Sequence, residues 1–241
     1  MSLLLQTVEE QAALAEALEE QLDDAPERVL ELLRQANSER LLLAGPLGLV
    51  YGLALRAVSG PREALVWLRQ LVKAQPDEPD ALHALGRCYE DLGHVKAAVR
   101  CYLRVLALDA SLDEQAGFDA ACANERVFRV ARTVVEQLPQ PFKQLLEPVP
   151  MVIEPRPDRE LVEQGFDPRS LGCFEGPTHG DMLVGGSPQL TRIVLFSANL
   201  TLAVAVDDDA ALQSEIEITV LHEIGHFFDL DDARLEQLGL G

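Results

Sequence analysis

His222 and His226 stand four residues apart, with Glu223 directly after the first, in the run Val220-Leu221-His222-Glu223-Ile224-Gly225-His226-Phe227-Phe228. On an α-helix this spacing places both imidazoles on one face about one turn apart, where they can share a single ion. Hydrolytic zinc chemistry needs two neutral nitrogen ligands and a carboxylate near the metal but not on it, so that the metal acidifies a water and the carboxylate takes its proton. Glu223 is placed to be that carboxylate. The bland alternative is an amphipathic helix that happens to carry two histidines. With only 5 His in 241 residues, chance rarely produces the pattern.

A site of this type also needs a third protein ligand and an open position for water. The stretch after His226 offers Asp229, Asp231 and Asp232. Asp232 stands ten positions after His222, the spacing at which an extended form of the motif leaves the helix and returns a ligand, and aspartate is a competent hard-oxygen donor. If the helix instead continues, Asp229 lies on the face of both histidines and reaches the metal itself. Asp231 is the third choice.

The elements that must hold these groups follow from pattern and punctuation. A long helix is expected from Ala210 to Phe228, capped by Asp208 or Asp209, with Leu212, Ile216, Val220, Leu221, Ile224 and Phe228 as its buried stripe. Upstream, Arg192 to Phe196 is the most strand-like run. Val149 to Ile153, Leu171 to Glu175 and Asp181 to Val184 are further strand candidates, and the Pro-rich stretch Glu154 to Arg169 reads as a loop with a short helix near Glu160. A helix from Gly117 to Gln137, stopped by Pro139, and a helical turn at Pro141 to Leu146 complete a small α+β domain over residues 113–241.

Residues 1–112 read as all-α helical hairpins. Pro26 opens one helix, and aligning Gly52 with Gly86 also brings Leu55 over Tyr89, Ala64 over Ala98 and Leu68 over Tyr102, a 34-residue offset. The run Leu85-Gly86, Tyr89, Gly93, Ala98, Tyr102 resembles the tetratricopeptide repeat, which implies stacked helical pairs. Two roles are open to them: a face for a protein partner, or a scaffold that stiffens its neighbour. His83 and His94 are read as structural or solvated.

The 20 basic and 40 acidic residues give a net charge of −20. Such a surface repels phosphate backbones and anionic lipid, which argues against nucleic-acid and membrane binding and favours peptide or protein substrates with basic or apolar segments. No apolar run approaches the roughly 20 residues of a membrane span, and the N-terminus lacks a basic signal region, so a cytoplasmic location is expected. Lys73, Lys96 and Lys143 are the only lysines, an arginine bias consistent with a GC-rich bacterial genome. Cys88, Cys101, Cys122 and Cys173 form no C-x-x-C pair and read as buried thiols.

From Phe118 to Leu238 the chain resembles the small zincin-like metallopeptidases of bacteria. The stretches that carry the likeness are Gln137-Leu138-Pro139, Leu171 to Gly176, Arg192 to Phe196, Thr219 to Phe228 and the tail Asp231 to Leu238. The resemblance implies a minimal zincin fold, zinc (Zn2+) on His222, His226 and Asp232, Glu223 as general base, and peptide-bond hydrolysis. An extended substrate strand would add to the edge of Arg192–Phe196, and His179 or Arg234 would be the candidates to stabilise an oxyanion. Two departures stand out: Asp229 replaces the Gly at which the family chain turns, and no Met follows His226 to build the Met-turn of larger relatives. They support an alternative in which a repeat-bearing adaptor carries a catalytically silent or structural zincin-like domain.

Overall fold

The computed structural model describes residues 8–35, 39–180, 191–204 and 208–240. Its contacts divide the chain into two compact units. One reaches to Leu112 and includes Arg159–Asp167; the other is Asp113–Asp158 with the residues from Pro168 onward.

The first unit runs through α1 (Val8–Glu19), α2 (Pro26–Gln35), α3 (Glu39–Ala44), α4 (Leu47–Ser59), α5 (Pro61–Ala74), α6 (Pro79–Asp91) and α7 (Val95–Ala116), the last continuing past the unit's boundary. Proline opens α2, α5 and α6, where its missing N–H is harmless because first-turn donors have no intrahelical partner. Small residues set how closely the helices approach. A Cβ at Gly52 would lie 2.6 Å from Leu68, and one at Gly86 would lie 2.5 Å from Tyr102. The two glycines, and likewise their two partners, are separated by the 34-residue offset. Leu68 and Tyr102 are fully buried, and the Tyr102 hydroxyl donates to Glu90 Oε2 at 2.8 Å.

Arg159–Asp167 packs with this unit, whereas the sequence places it in the C-terminal domain. Val162 of the short helix Arg159–Glu163 is buried against Ala98 and Tyr102, and the Asp167 carboxylate meets His83 Nε2 at 2.9 Å and accepts from Arg87 Nη1 at 3.1 Å. One buried apolar residue and one carboxylate are too faint a pattern to show where a loop docks. His83 is thereby a paired side chain.

The second unit contains α8 (Ala120–Gln137), α9 (Gln140–Leu146), β1 (Met151–Glu154), β2 (Gly172–Glu175), β3 (Arg192–Phe196), α10 (Ser197–Leu202), α11 (Asp209–Phe227) and α12 (Asp232–Gln237). Asp119 caps α8 by accepting from the Cys122 amide. Among the described residues the sheet has three strands in the order β1-β3-β2, with β1 parallel and β2 antiparallel to β3. β3 is thus the central strand, bonded along both sides. This corrects the expectation that Arg192–Phe196 offers a free edge: a run of Ile193-Val194-Leu195-Phe196, all buried, is what a strand covered on both faces requires. The strand expected at Asp181–Val184 lies outside the described residues.

Helix α10 has no periodicity signal in the sequence. Side-chain bonds hold it: Ser197 Oγ donates to Asn124 Oδ1 at 2.5 Å, and Asn199 Nδ2 donates to the carbonyls of Pro168 and Ser170 at 2.9 and 2.7 Å. Asn199 Oδ1 accepts from Arg156, whose guanidinium also grips Asp113 in bidentate fashion at 2.6 and 2.8 Å. This buried network fixes Pro168–Ser170, the segment that leads into β2. Among the described residues no helix is long and apolar enough to cross a membrane. Cys88, Cys101 and Cys173 are buried free thiols, as expected, but Cys122 is exposed.

Candidate metal centre

The helix that carries the motif, α11, starts on Asp208, whose carboxylate accepts from the amides of Ala210 and Ala211 at 3.1 and 2.9 Å. Leu212, Ile216, Val220, Ile224 and Phe227 then enter one core with Ile193 and Leu195 of β3 and Val127 and Ala131 of α8. The helix is therefore held along most of its length before the chemistry begins.

It ends in a left-handed cap. Asp229 has φ 63°, among the described residues the one non-glycine residue with positive φ. The amide of Asp229 donates to His226 O at 3.1 Å and that of Leu230 to Gly225 O at 3.0 Å, the paired bonds of a Schellman motif. Asp229 performs the turn expected of glycine, and its Oδ2 accepts from the Gly180 amide at 3.0 Å. Asp231 caps α12, accepting from the Arg234 amide at 2.9 Å. Asp232 follows as the first residue of that helix. Gly225 lets α12 lie close, since a Cβ there would meet Leu235 at 2.4 Å.

The same cap recurs at the end of α12. Gly239 has φ 74°, and the amide of Leu240 donates to Leu235 O at 3.0 Å while that of Gly239 donates to Glu236 O at 2.9 Å. In each motif the residue after the left-handed position turns its carbonyl to a histidine. Leu230 O lies 3.0 Å from His226 Nδ1, and Leu240 O lies 2.5 Å from His222 Nδ1. A carbonyl only accepts, so each Nδ1 carries the hydrogen and each Nε2 of a neutral ring presents a lone pair.

Those Nε2 atoms are 2.9 Å apart. Asp232 Oδ1 lies 3.3 Å from His226 Nε2 and 3.7 Å from His222 Nε2, and the three donor atoms fall within 4.8 Å of one another. Two lone pairs and a carboxylate facing one point repel unless a positive charge sits among them. Two imidazoles and one hard oxygen, with both histidines oriented by outer acceptors, fit zinc. Asp229 and Asp231, the other acids considered, are engaged with Gly180 and Arg234.

Glu223 is buried, at 5% exposure, and lies outside this three-residue group. Burial pushes its carboxyl up to about 8; the N–H of Phe174 in β2 pulls the other way, and the charge of Asp232 adds to the rise. A dication nearby would draw it back down. Gly172 makes room for it, since a Cβ there would sit 3.2 Å from Glu223 Cγ and 3.1 Å from Thr219 Cγ2.

The two candidate oxyanion groups are turned to other partners. The His179 ring packs 5.7 Å from both Phe227 and Phe228, and Arg234 donates to Gln237 of its own helix at 2.8 Å. The carbonyls of Leu230 and Leu240 and the N–H of Phe174 are the parts that sequence reasoning missed. Backbone groups carry no residue-type signal, although the Gly239-Leu240 pair closing a short helix was a readable trace of one cap.

Residues 146–241 match the family model of the zincin-like metallopeptidases. The match spans all three strands, α11 and α12, and so includes each member of the histidine–aspartate group and Glu223. No curated protein matches the chain.

Proposed function

We propose that the second unit is a zinc-dependent peptidase in which His222, His226 and Asp232 hold the metal and Glu223 is the general base. The observation that supports this most is the pinning of both Nδ1 atoms, which leaves two Nε2 lone pairs and the Asp232 carboxylate converging on one point. When bound there, zinc would supply the Lewis acidity to polarise a scissile carbonyl and acidify water. Glu223 would serve as the general base that takes a proton from the attacking water and returns one to the leaving amine, and its burial would keep bulk solvent from competing for the exchange. With β3 enclosed, β2 becomes the strand against which an extended substrate aligns, because its Phe174 N–H already reaches Glu223.

In the same reading the helical pairs of the first unit form a short tetratricopeptide-like array that takes a protein partner. The equivalent Gly52–Leu68 and Gly86–Tyr102 approaches support it. The adaptor alternative draws on Asp229 and the absent Met, yet Asp229 completes the helix cap that a glycine would make.

The deciding variant is Glu223→Gln. It should keep zinc and lose cleavage of a peptide library by about 10²-fold or more. Undiminished cleavage by the zinc-loaded variant would sink the mechanism, and a wild-type chain that binds zinc but cleaves nothing would favour the adaptor.

A further inference from the structure

A cavity of about 240 Å³ opens beside Glu223 and His222, walled by the segment Ser170–Gly172, by Ile218 and Thr219 of α11, and by Leu240. That volume is space for one side chain rather than for a drug-sized ligand.

Glu215 lines it as well. Glu215, Thr219 and Glu223 are spaced by four along α11 and so share one face, with about 12 Å of helix rise from the first to the last. Glu215 is half-buried, and among the described residues its carboxylate has no ion-pair or hydrogen-bond partner; the Thr219 hydroxyl bonds its backbone carbonyl instead. Between the two glutamates the walls are mainly apolar, from Leu171, Ile218 and Leu240, and among the described residues no Lys or Arg lines the space.

We propose that this cavity is the subsite for a long cationic side chain, Arg or Lys, of the residue next to the scissile bond. This deepens the peptidase reading and rests on it for the position of that bond. A side chain entering beside Glu223 must run along the helix to reach Glu215, and Arg and Lys alone combine an apolar stem that such walls cover with a charged head for the carboxylate at the end. An acidic side chain would meet two carboxyl groups and, among the described residues, no Lys or Arg to pair with. The net charge of −20 adds attraction for basic peptides in the same direction.

The test separates binding from turnover. NMR titration of the full chain with N-acetyl-arginine methylamide, N-acetyl-norleucine methylamide and N-acetyl-glutamate methylamide reads the subsite without any reaction. The arginine probe should bind at least about tenfold more tightly than the other two, Glu215→Gln should erase that preference, and Glu215→Lys should reverse it toward the glutamate probe, with unchanged circular dichroism showing that each variant folds. Equal binding of the three probes, or a preference that survives Glu215→Gln, overturns the proposal. In parallel, a peptide series varied at one residue should be cleaved fastest after or before Arg and Lys. Cleavage of none of them by zinc-loaded protein would count against the peptidase reading, while the probe titration still decides what the cavity holds.

Discussion

Asp229 occupies the left-handed backbone region, where a side chain costs about 1–2 kcal/mol and Asp tolerates the strain better than most. What it gains in return is the bond from the Gly180 amide, worth on the order of 1 kcal/mol. Asp229→Gly removes both terms and should leave stability within about 1 kcal/mol of the wild type. Asp229→Ala keeps the strain and loses the bond, and should destabilise by about 1–2 kcal/mol; denaturant unfolding of the two variants checks the difference, and equal effects would contradict it. Glu223 gives a second prediction. In the metal-free protein its carboxyl titrates near 8 rather than the ordinary 4.5, so the folded state favours the protonated form. That stabilising contribution is complete below the lower value and is lost as pH rises through the higher one. Between about pH 5 and about pH 8 the metal-free wild type should lose on the order of a few kcal/mol that metal-free Glu223→Gln does not. Urea unfolding across that window reads it, and parallel profiles would show that burial does not raise the carboxyl.

At the scale of elements, the site is made by two successive helix ends. The cap closing α11 aims Leu230 O at His226, and the cap closing α12 aims Leu240 O at His222. Helix termini leave carbonyls without intrahelical partners, and here two carbonyls beyond the caps become the outer acceptors that fix both imidazoles. Removing such a partner lowers metal affinity by about 10–100-fold in known sites. A chain ending at Gly239 should therefore bind zinc at least about tenfold more weakly, as measured by competition with a chelator, while its circular dichroism stays that of the full chain. Zinc affinity unchanged by the truncation would mean that His222 needs no outer partner.

For the whole molecule, much of the local structure was legible because it rests on periodicity and punctuation: the long helix started by Asp208, the stop at Pro139, the run Arg192–Phe196, and the glycine positions 34 residues apart. The histidine pair and Asp232 were legible as spacing. What stayed hidden depends on tertiary partners. Strand order is one case, since an apolar run reads the same at a centre or an edge until its neighbours are known. Others are α10, held by Ser197 and Asn199 rather than by its own pattern, and the docking of Arg159–Asp167 onto the first unit through Val162 and Asp167. All of this leads back to one point of convergence at His222, His226 and Asp232. X-ray absorption at the zinc edge of the loaded full chain measures it directly. The expected result is one zinc per chain with two imidazole nitrogens at about 2.0–2.1 Å, oxygen in the remaining positions and no sulfur, and in Asp232→Ala the loss of one protein oxygen donor together with a clear drop in affinity. A chain that takes up no zinc, or a zinc bound by thiolate or by fewer than two imidazoles, would contradict it.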